Sequence, residues 1–254
     1  MKYLVCIKHV PDTETKVAVH DDGKRLDPAA VTKWGASPYD EHALEQALVL
    51  REAAGEGEVV AVCAGPQASQ TTLRTALATG ADRAILIEDD SLADAESLAR
   101  ATALAAVARK EQPDILLLGK YGVGTDEGST GPMLAELLDW PHVAAISALV
   151  LEGQTFTASR AVEGGVEIHE GTLPALFTCD KALNEPRLPS LRGIMQSKKK
   201  PIETQAAPEL PGAKLQWDAF SLPPARQAGR LIDGDPETAA NELVRLLHEE
   251  AKVL

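Results

Sequence analysis

Residues 114–138 read DILLLGKYGVGTDEGSTGPMLAELL, passing from an unbroken aliphatic run through a glycine-rich loop into an apolar helical pattern. The run lacks polar alternation, which is how a strand buried on both faces reads. Three other stretches have the same texture: YLVCIK (3–8), EVVAVCAG (58–65) and RAILIE (83–88). Helical patterns separate them. DEHALEQALVLREAAG places Ala43, Leu44, Ala47, Leu48 and Leu50 mainly on one face and stops at Gly55; SQTTLRTALATGA and AESLARATALAAVARK repeat the period. Strand and helix in alternation predict a doubly wound α/β fold, with a mainly parallel sheet covered on both faces.

Past about residue 145 the texture changes. SALVLEGQTFTASRAVEGGVEIHEGTLPALFTCD carries turn signals at EGQ and EGG, predicting an antiparallel hairpin and a last core strand at 173–179. Residues 201–225 are Pro-rich and nearly aperiodic, the texture of a linker or arm. DPETAANELVRLLHEEAKVL closes the chain as a helix with Pro236 in its first turn and an apolar stripe of Ala239, Leu243, Leu246, Leu247 and Val253. This gives an α/β domain over 1–182, a distinct segment over 183–201, and an arm with terminal helix over 202–254.

Composition narrows the function. The 254 residues are 44% hydrophobic and 25% charged, a profile of a soluble globular protein. No apolar run approaches the ~20 residues of a membrane helix, and MKYLVCIKHV is too quickly charged for a signal peptide, so a cytoplasmic location is expected. A net charge of −13 argues against nucleic acid as a partner. Cys6, Cys63 and Cys179 stand singly, without metal-ligand spacing. The six histidines are scattered, and no nucleophile and base pair stands out, so no catalytic residue is assigned.

Ligands in parallel α/β sheets bind beyond the carboxyl ends of strands. Three loops qualify: KHVPDTETK; WGASPYDEHA, with Ser37 as N-cap and Asp40 at the capping-box position; and the loop after 119. In the last, Gly119, Gly122, Gly124, Gly128 and Gly131 surround Ser129 and Thr130 at a helix start, where backbone N–H groups can approach an anion. It matches neither the dinucleotide nor the P-loop fingerprint. A plain strand-to-helix turn capped by Thr130 is the other reading of these residues.

The segments ASPYDEHALEQAL, TLRTALATGADRAIL, ILLLGKYGVGTDEGSTGPMLAELL, SRAVEGGVE and LPALFTCDKALNEPRLPSLRGIMQSKKKP, in this order, resemble the β subunit of electron transfer flavoproteins. The resemblance runs from residue 1 to about 203. It implies the adenine-nucleotide-binding sheet type of universal-stress-like proteins and a redox carrier rather than an enzyme. It also implies a heterodimer with an α subunit that holds most of one FAD, and a structural AMP in the β subunit. Electrons would come from acyl-CoA dehydrogenases and related flavoenzymes and go to a membrane quinone oxidoreductase. The matching AMP positions are Cys6; Ser37, Pro38, Tyr39 and Asp40; Ala64; and Gly119, Lys120, Tyr121, Gly122, Val123, Gly124, Thr125, Asp126, Glu127, Gly128, Ser129 and Thr130. Tyr39 also matches a position near the flavin. The family's Asn-Gln-Thr is Gly128, Ser129, Thr130 here, a common Glu is Ala161, and a flavin-proximal Tyr is Thr13.

LNEPRLPSLRGIMQSKKKP (183–201) resembles the family's recognition loop, with Leu191 matching the anchor that enters a dehydrogenase pocket. Ile194 and Met195 would flank it, with Arg187, Arg192, Lys198, Lys199 and Lys200 steering the encounter. The alternative for this stretch is that Ile194 and Met195 pack on the protein's own core. Two other functions compete: a bifurcating flavoprotein with a second FAD in place of AMP, whose relatives tend to carry Asp-Gly-x-Thr-Ala-Gln where this chain has DEGSTGP, and a universal-stress-type nucleotide-binding protein.

Overall fold

Aliphatic runs too apolar to face water on either side need helices above and below them, and the chain supplies both in turn. It begins with β1 (Lys2–Cys6), forms a small antiparallel pair from β2 (His9–Pro11) and β3 (Trp34–Ala36), and enters α1 (Pro38–Ala54). Then come β4 (Glu58–Gly65), α2 (Gln70–Thr79), β5 (Arg83–Glu88), α3 (Ser97–Glu111), β6 (Ile115–Gly119) and α4 (Thr130–Leu138). A meander of β7 (His142–Glu152), β8 (Thr155–Val162) and β9 (Gly165–Thr172) leads to β10 (Ala175–Cys179), α5 (Leu191–Ser197), β11 (Ile202–Ala206) and α6 (Pro236–Glu249). The computed structural model describes residues 1–254 except 216, 226 and 227. It divides into two units, 1–220 and 221–254.

The nine-stranded sheet has the order β11-β5-β4-β1-β6-β10-β7-β8-β9. After β1 the chain fills positions on one side through β4 and β5, then returns to the other side with β6 and β10. The topological switch therefore lies between β1 and β6, where Tyr3 pairs with Ile115 and Val5 with Leu117. Loops leaving two such strands in opposite directions open a crevice at their carboxyl ends. One core layer, with Tyr3, Val5, Leu48, Leu73 and Phe177, lies beneath α1 and α2; the other, with Leu4, Val60, Ile85, Leu104 and Leu134, lies beneath α3 and α4. At the amino ends of the strands, Arg83 pairs with Glu58 (2.7 Å) and Glu111, and Lys2 with Glu111 (3.3 Å).

Several expectations need correction. The antiparallel hairpin is a three-stranded meander, because β7 starts at His142 and β9 adds a full register against β8 from Thr155–Thr172 to Val162–Gly165. Its turns do fall at the two signals, with Gly153 and Gly164 in left-handed conformation. The linker texture after 201 conceals β11, which pairs in parallel with β5 from Ile202–Ala84 to Ala206–Glu88. Residues 191–197, which fit no regular period, are helical. In the second unit, α6 is capped by Asp235, whose carboxylate accepts from Glu237 and Thr238 N–H, and it has no buried residue; Val253 lies beyond its end. No described helix is long and apolar enough to cross a membrane.

Candidate functional site

The crevice at the switch point is organised by one buried carboxylate. Asp40 sits in the first turn of α1, where the capping-box expectation would have it reach back to its own helix. Instead its Oδ2 accepts from Lys8 N–H (2.8 Å) and its Oδ1 from Gly119 N–H (2.7 Å), tying the ends of β1 and β6 together. Burial pushes its pKa up to about 7, although both backbone bonds favour the charged form. Ser37 occupies the N-cap position, yet its hydroxyl makes no cap bond and accepts from Val123 N–H (3.2 Å) in the glycine-rich loop. These two polar residues serve the neighbouring loop rather than their own helix.

Between the loop and α3 lies a cleft open to solvent. Of the residues expected at a nucleotide, Cys6, Asp40, Ala64, Gly119, Lys120, Tyr121, Gly122, Thr125, Glu127, Gly128 and Thr130 line it. Ser37, Pro38, Tyr39, Val123, Gly124, Asp126 and Ser129 do not, although Tyr39 adjoins the lining residue Tyr121. Thr130 is the first residue of α4; the cap position is Ser129, and no side chain bonds there, which leaves the Thr130 and Gly131 N–H groups uncapped. Burial, with Asp40 nearby, raises the Cys6 thiol well above its usual pKa, which leaves it a neutral wall residue.

Two cations in the wall were not read from the sequence. Lys8, at the end of β1, lies across Gly122, where a Cβ would come within 2.3 Å of its Cδ, and donates to Thr125 Oγ1 (3.1 Å). Burial, and then the Arg100 charge, lower its pKa to about 8. Arg100, in the first turn of α3, is 8% exposed. It reads as a solvated helix residue, but it shares a face with Leu104, four residues on, and that spacing was the available signal. At the mouth, the Tyr39 and Tyr121 hydroxyls meet at 3.0 Å, and Lys120 Nζ lies 4.9 Å and 5.2 Å from their ring centroids while pairing with Asp180 (2.9 Å). No group of metal-ligating side chains occurs among the described residues.

A second candidate surface is the segment 183–200. It is clamped at both ends: Asn184 Nδ2 donates to the His42 carbonyl (3.0 Å) and Gln46 (3.1 Å), Arg187 pairs with Glu45 (2.8 Å) and Glu52 (2.6 Å), and Arg74 donates to the carbonyls of Ser197 and Lys200 (2.8 Å for the latter). Between the clamps, Gly193 comes so close to α2 that a Cβ would stand 2.2 Å from the Ala78 carbonyl oxygen. The result is a short, rigid α5 with its apolar side chains outward: Leu188 is 89% exposed, Leu191 83%, and Met195 and Ile194 are also exposed. Packing of Ile194 and Met195 on the protein's own core is thereby ruled out. Lys198 and Lys199 are exposed as a steering strip would be. Arg187 is engaged by Glu45 and Glu52, and Lys200 is half-buried, donating to the Ala81 carbonyl at the end of α2.

Comparison with known proteins gives a consistent picture. Residues 29–210 match the electron transfer flavoprotein domain model. Over the whole chain, the sequence is 42% identical to the electron transfer flavoprotein subunit beta of Syntrophomonas wolfei, covering 98% of that protein. It is 40% identical to the subunit of the same name in Bacillus subtilis, covering 100% of it, and 38% identical to that of Mus musculus, covering 99%.

Proposed function

The chain belongs to the electron transfer flavoprotein family as a β subunit, and from that premise we propose that it is one half of a heterodimeric electron shuttle with AMP in the cleft at the sheet's switch point. The cleft fits such a ligand in its donor chemistry: a glycine-rich backbone, uncapped N–H groups at α4 and two wall cations suit a phosphate, while Cys6, Ala64 and Leu118 offer apolar contact. Asp40 would hold the two sides of the crevice in register and Ser37 would brace the loop at Val123.

FAD, held mainly by the α subunit, would supply the redox centre that accepts and releases electrons singly. This chain's contribution toward it is Tyr39, half-buried, with its hydroxyl fixed by Tyr121. The apolar stripe on α6, with Leu243 exposed and Leu246 and Leu247 half-buried, is a surface for the α subunit, because a helix with no buried residue leaves its stripe for something else to cover.

The observation that carries the shuttle reading is α5. An exposed leucine on a helix locked by ion pairs and a close glycine contact is preorganised for docking, and a few apolar residues suffice for an encounter that must also end. Donors would be acyl-CoA dehydrogenases and related flavoenzymes, and the acceptor a membrane quinone oxidoreductase. The test is reduction of the αβ complex by such a dehydrogenase at subsaturating concentration. Leu191→Ala should slow it about tenfold or more, the loss expected for a hot-spot leucine, with unchanged flavin content. Equal rates would remove Leu191 from the docking surface.

A further inference from the structure

Arg100 is a buried charge with no direct ion pair among the described residues; Glu127 and Asp94 act on it only from beyond 4.0 Å. Its Nε donates to the Leu92 carbonyl (3.4 Å) and its Nη2 to the Ala93 carbonyl (3.0 Å), and Nη1 donates to no described protein atom. No carboxylate among the described residues lies within 4.0 Å of its guanidinium or of the Lys8 ammonium, which meets only the Thr125 hydroxyl. Glu127, in the same wall, accepts from the Ser97 hydroxyl instead. Buried charges are ordinarily paired, because the desolvation cost otherwise goes uncompensated. Burial lowers the pKa of both cations, so each is held in a place that disfavours its charge.

The two cations line one cleft, and so do Thr130 and Gly131, the uncapped first residues of the nine-residue α4. We propose that Arg100, together with Lys8, is the counter-ion for a phosphomonoester dianion in this cleft, so that the site selects a nucleoside monophosphate over the neutral nucleoside. This rests on the reading of the cleft as an AMP site and assigns the residue from α3 that supplies the missing charge. The two positive charges match the two negative charges of the phosphate, and Arg100 offers the planar, multidentate donor that a phosphate favours.

The test uses the αβ complex depleted of cleft nucleotide by dialysis and titrated calorimetrically with AMP and with adenosine. Arg100→Met should weaken AMP by about 10–100-fold, the worth of a charged hydrogen bond, and change adenosine by less than about twofold; Arg100→Lys should recover part of the loss. An unchanged AMP affinity in Arg100→Met, or equal losses for AMP and adenosine, would overturn the assignment while leaving the AMP site standing. Absence of AMP binding to the wild-type complex would overturn the AMP reading and this assignment with it. If Arg100→Met does not fold, the wild-type complex still decides: AMP affinity should fall with added salt while adenosine affinity does not, and parallel behaviour would contradict the proposal.

Discussion

The two ends of the same sheet treat positive charge in opposite ways, with Lys120, paired to Asp180 at the cleft mouth, the exception. At the amino ends of the strands, Arg83 and Lys2 share Glu58 and Glu111 in a closed network, and Glu111 is held below the usual carboxylate pKa chiefly by its hydrogen bond from Arg83. At the carboxyl ends, Lys8 and Arg100 have hydroxyl and carbonyl partners only. A cation paired inside the chain contributes to the fold, whereas a cation buried without a partner leaves charge for something that arrives later. The segment 183–200 shows the same division at smaller scale: Arg187 is spent on Glu45 and Glu52, while Lys198 and Lys199 stay in solvent.

The contrast can be broken most easily at the paired end. Arg83→Met leaves Glu111 buried beside a lone Lys2 and should cost about 2 kcal/mol, a value between exposed and fully buried pairs. That is roughly 5 °C in melting temperature for a chain of this size. Arg100→Met should not lower the melting temperature of the nucleotide-free complex, since it removes an unpaired charge; a loss equal to that of Arg83→Met would erase the distinction between the ends.

Next in size is a pH effect on AMP binding. Burial and the Arg100 charge lower the Lys8 pKa to about 8, against the opposing pull of Asp40, Glu127 and Asp126. A bound phosphate favours its charged form, so affinity is complete below this pKa and is lost as pH rises through it. Calorimetry should show AMP weakening by about tenfold between pH 7 and pH 9, with proton uptake on binding above pH 8. A flat profile would place Lys8 outside the binding energetics. Smallest, Gly122→Ala should push the Lys8 side chain aside without disturbing the strands, lowering AMP affinity by about fivefold; an unchanged value would mean that the lysine reaches the ligand by another path.

Much of this architecture was legible from local sequence. Four aliphatic runs, the stop at Gly55 and the turns at Gly153 and Gly164 declare themselves within a few residues. Strand β11 did not, because IETQA is an edge strand with mostly exposed side chains and little alternation to read. Helix α5 spans only seven residues and is held by Arg74 and Arg187, partners more than 100 residues distant in the first case and bonded to α1 in the second. At the site, the glycine-rich loop announced itself and the resemblance supplied Cys6 and Ala64. Asp40 was found in the right place for the wrong bond, since its partners Lys8 and Gly119 come from other strands. Arg100 was missed because a lone arginine on a helix looks the same in sequence whether it faces water or a cleft.

The most direct measurement is the nucleotide content of the αβ complex, purified, denatured and analysed by chromatography and mass. One FAD and one AMP per heterodimer is the predicted result, with the AMP lost selectively in Arg100→Met. Two FAD and no AMP would contradict the account, placing a second redox centre where a structural nucleotide is proposed.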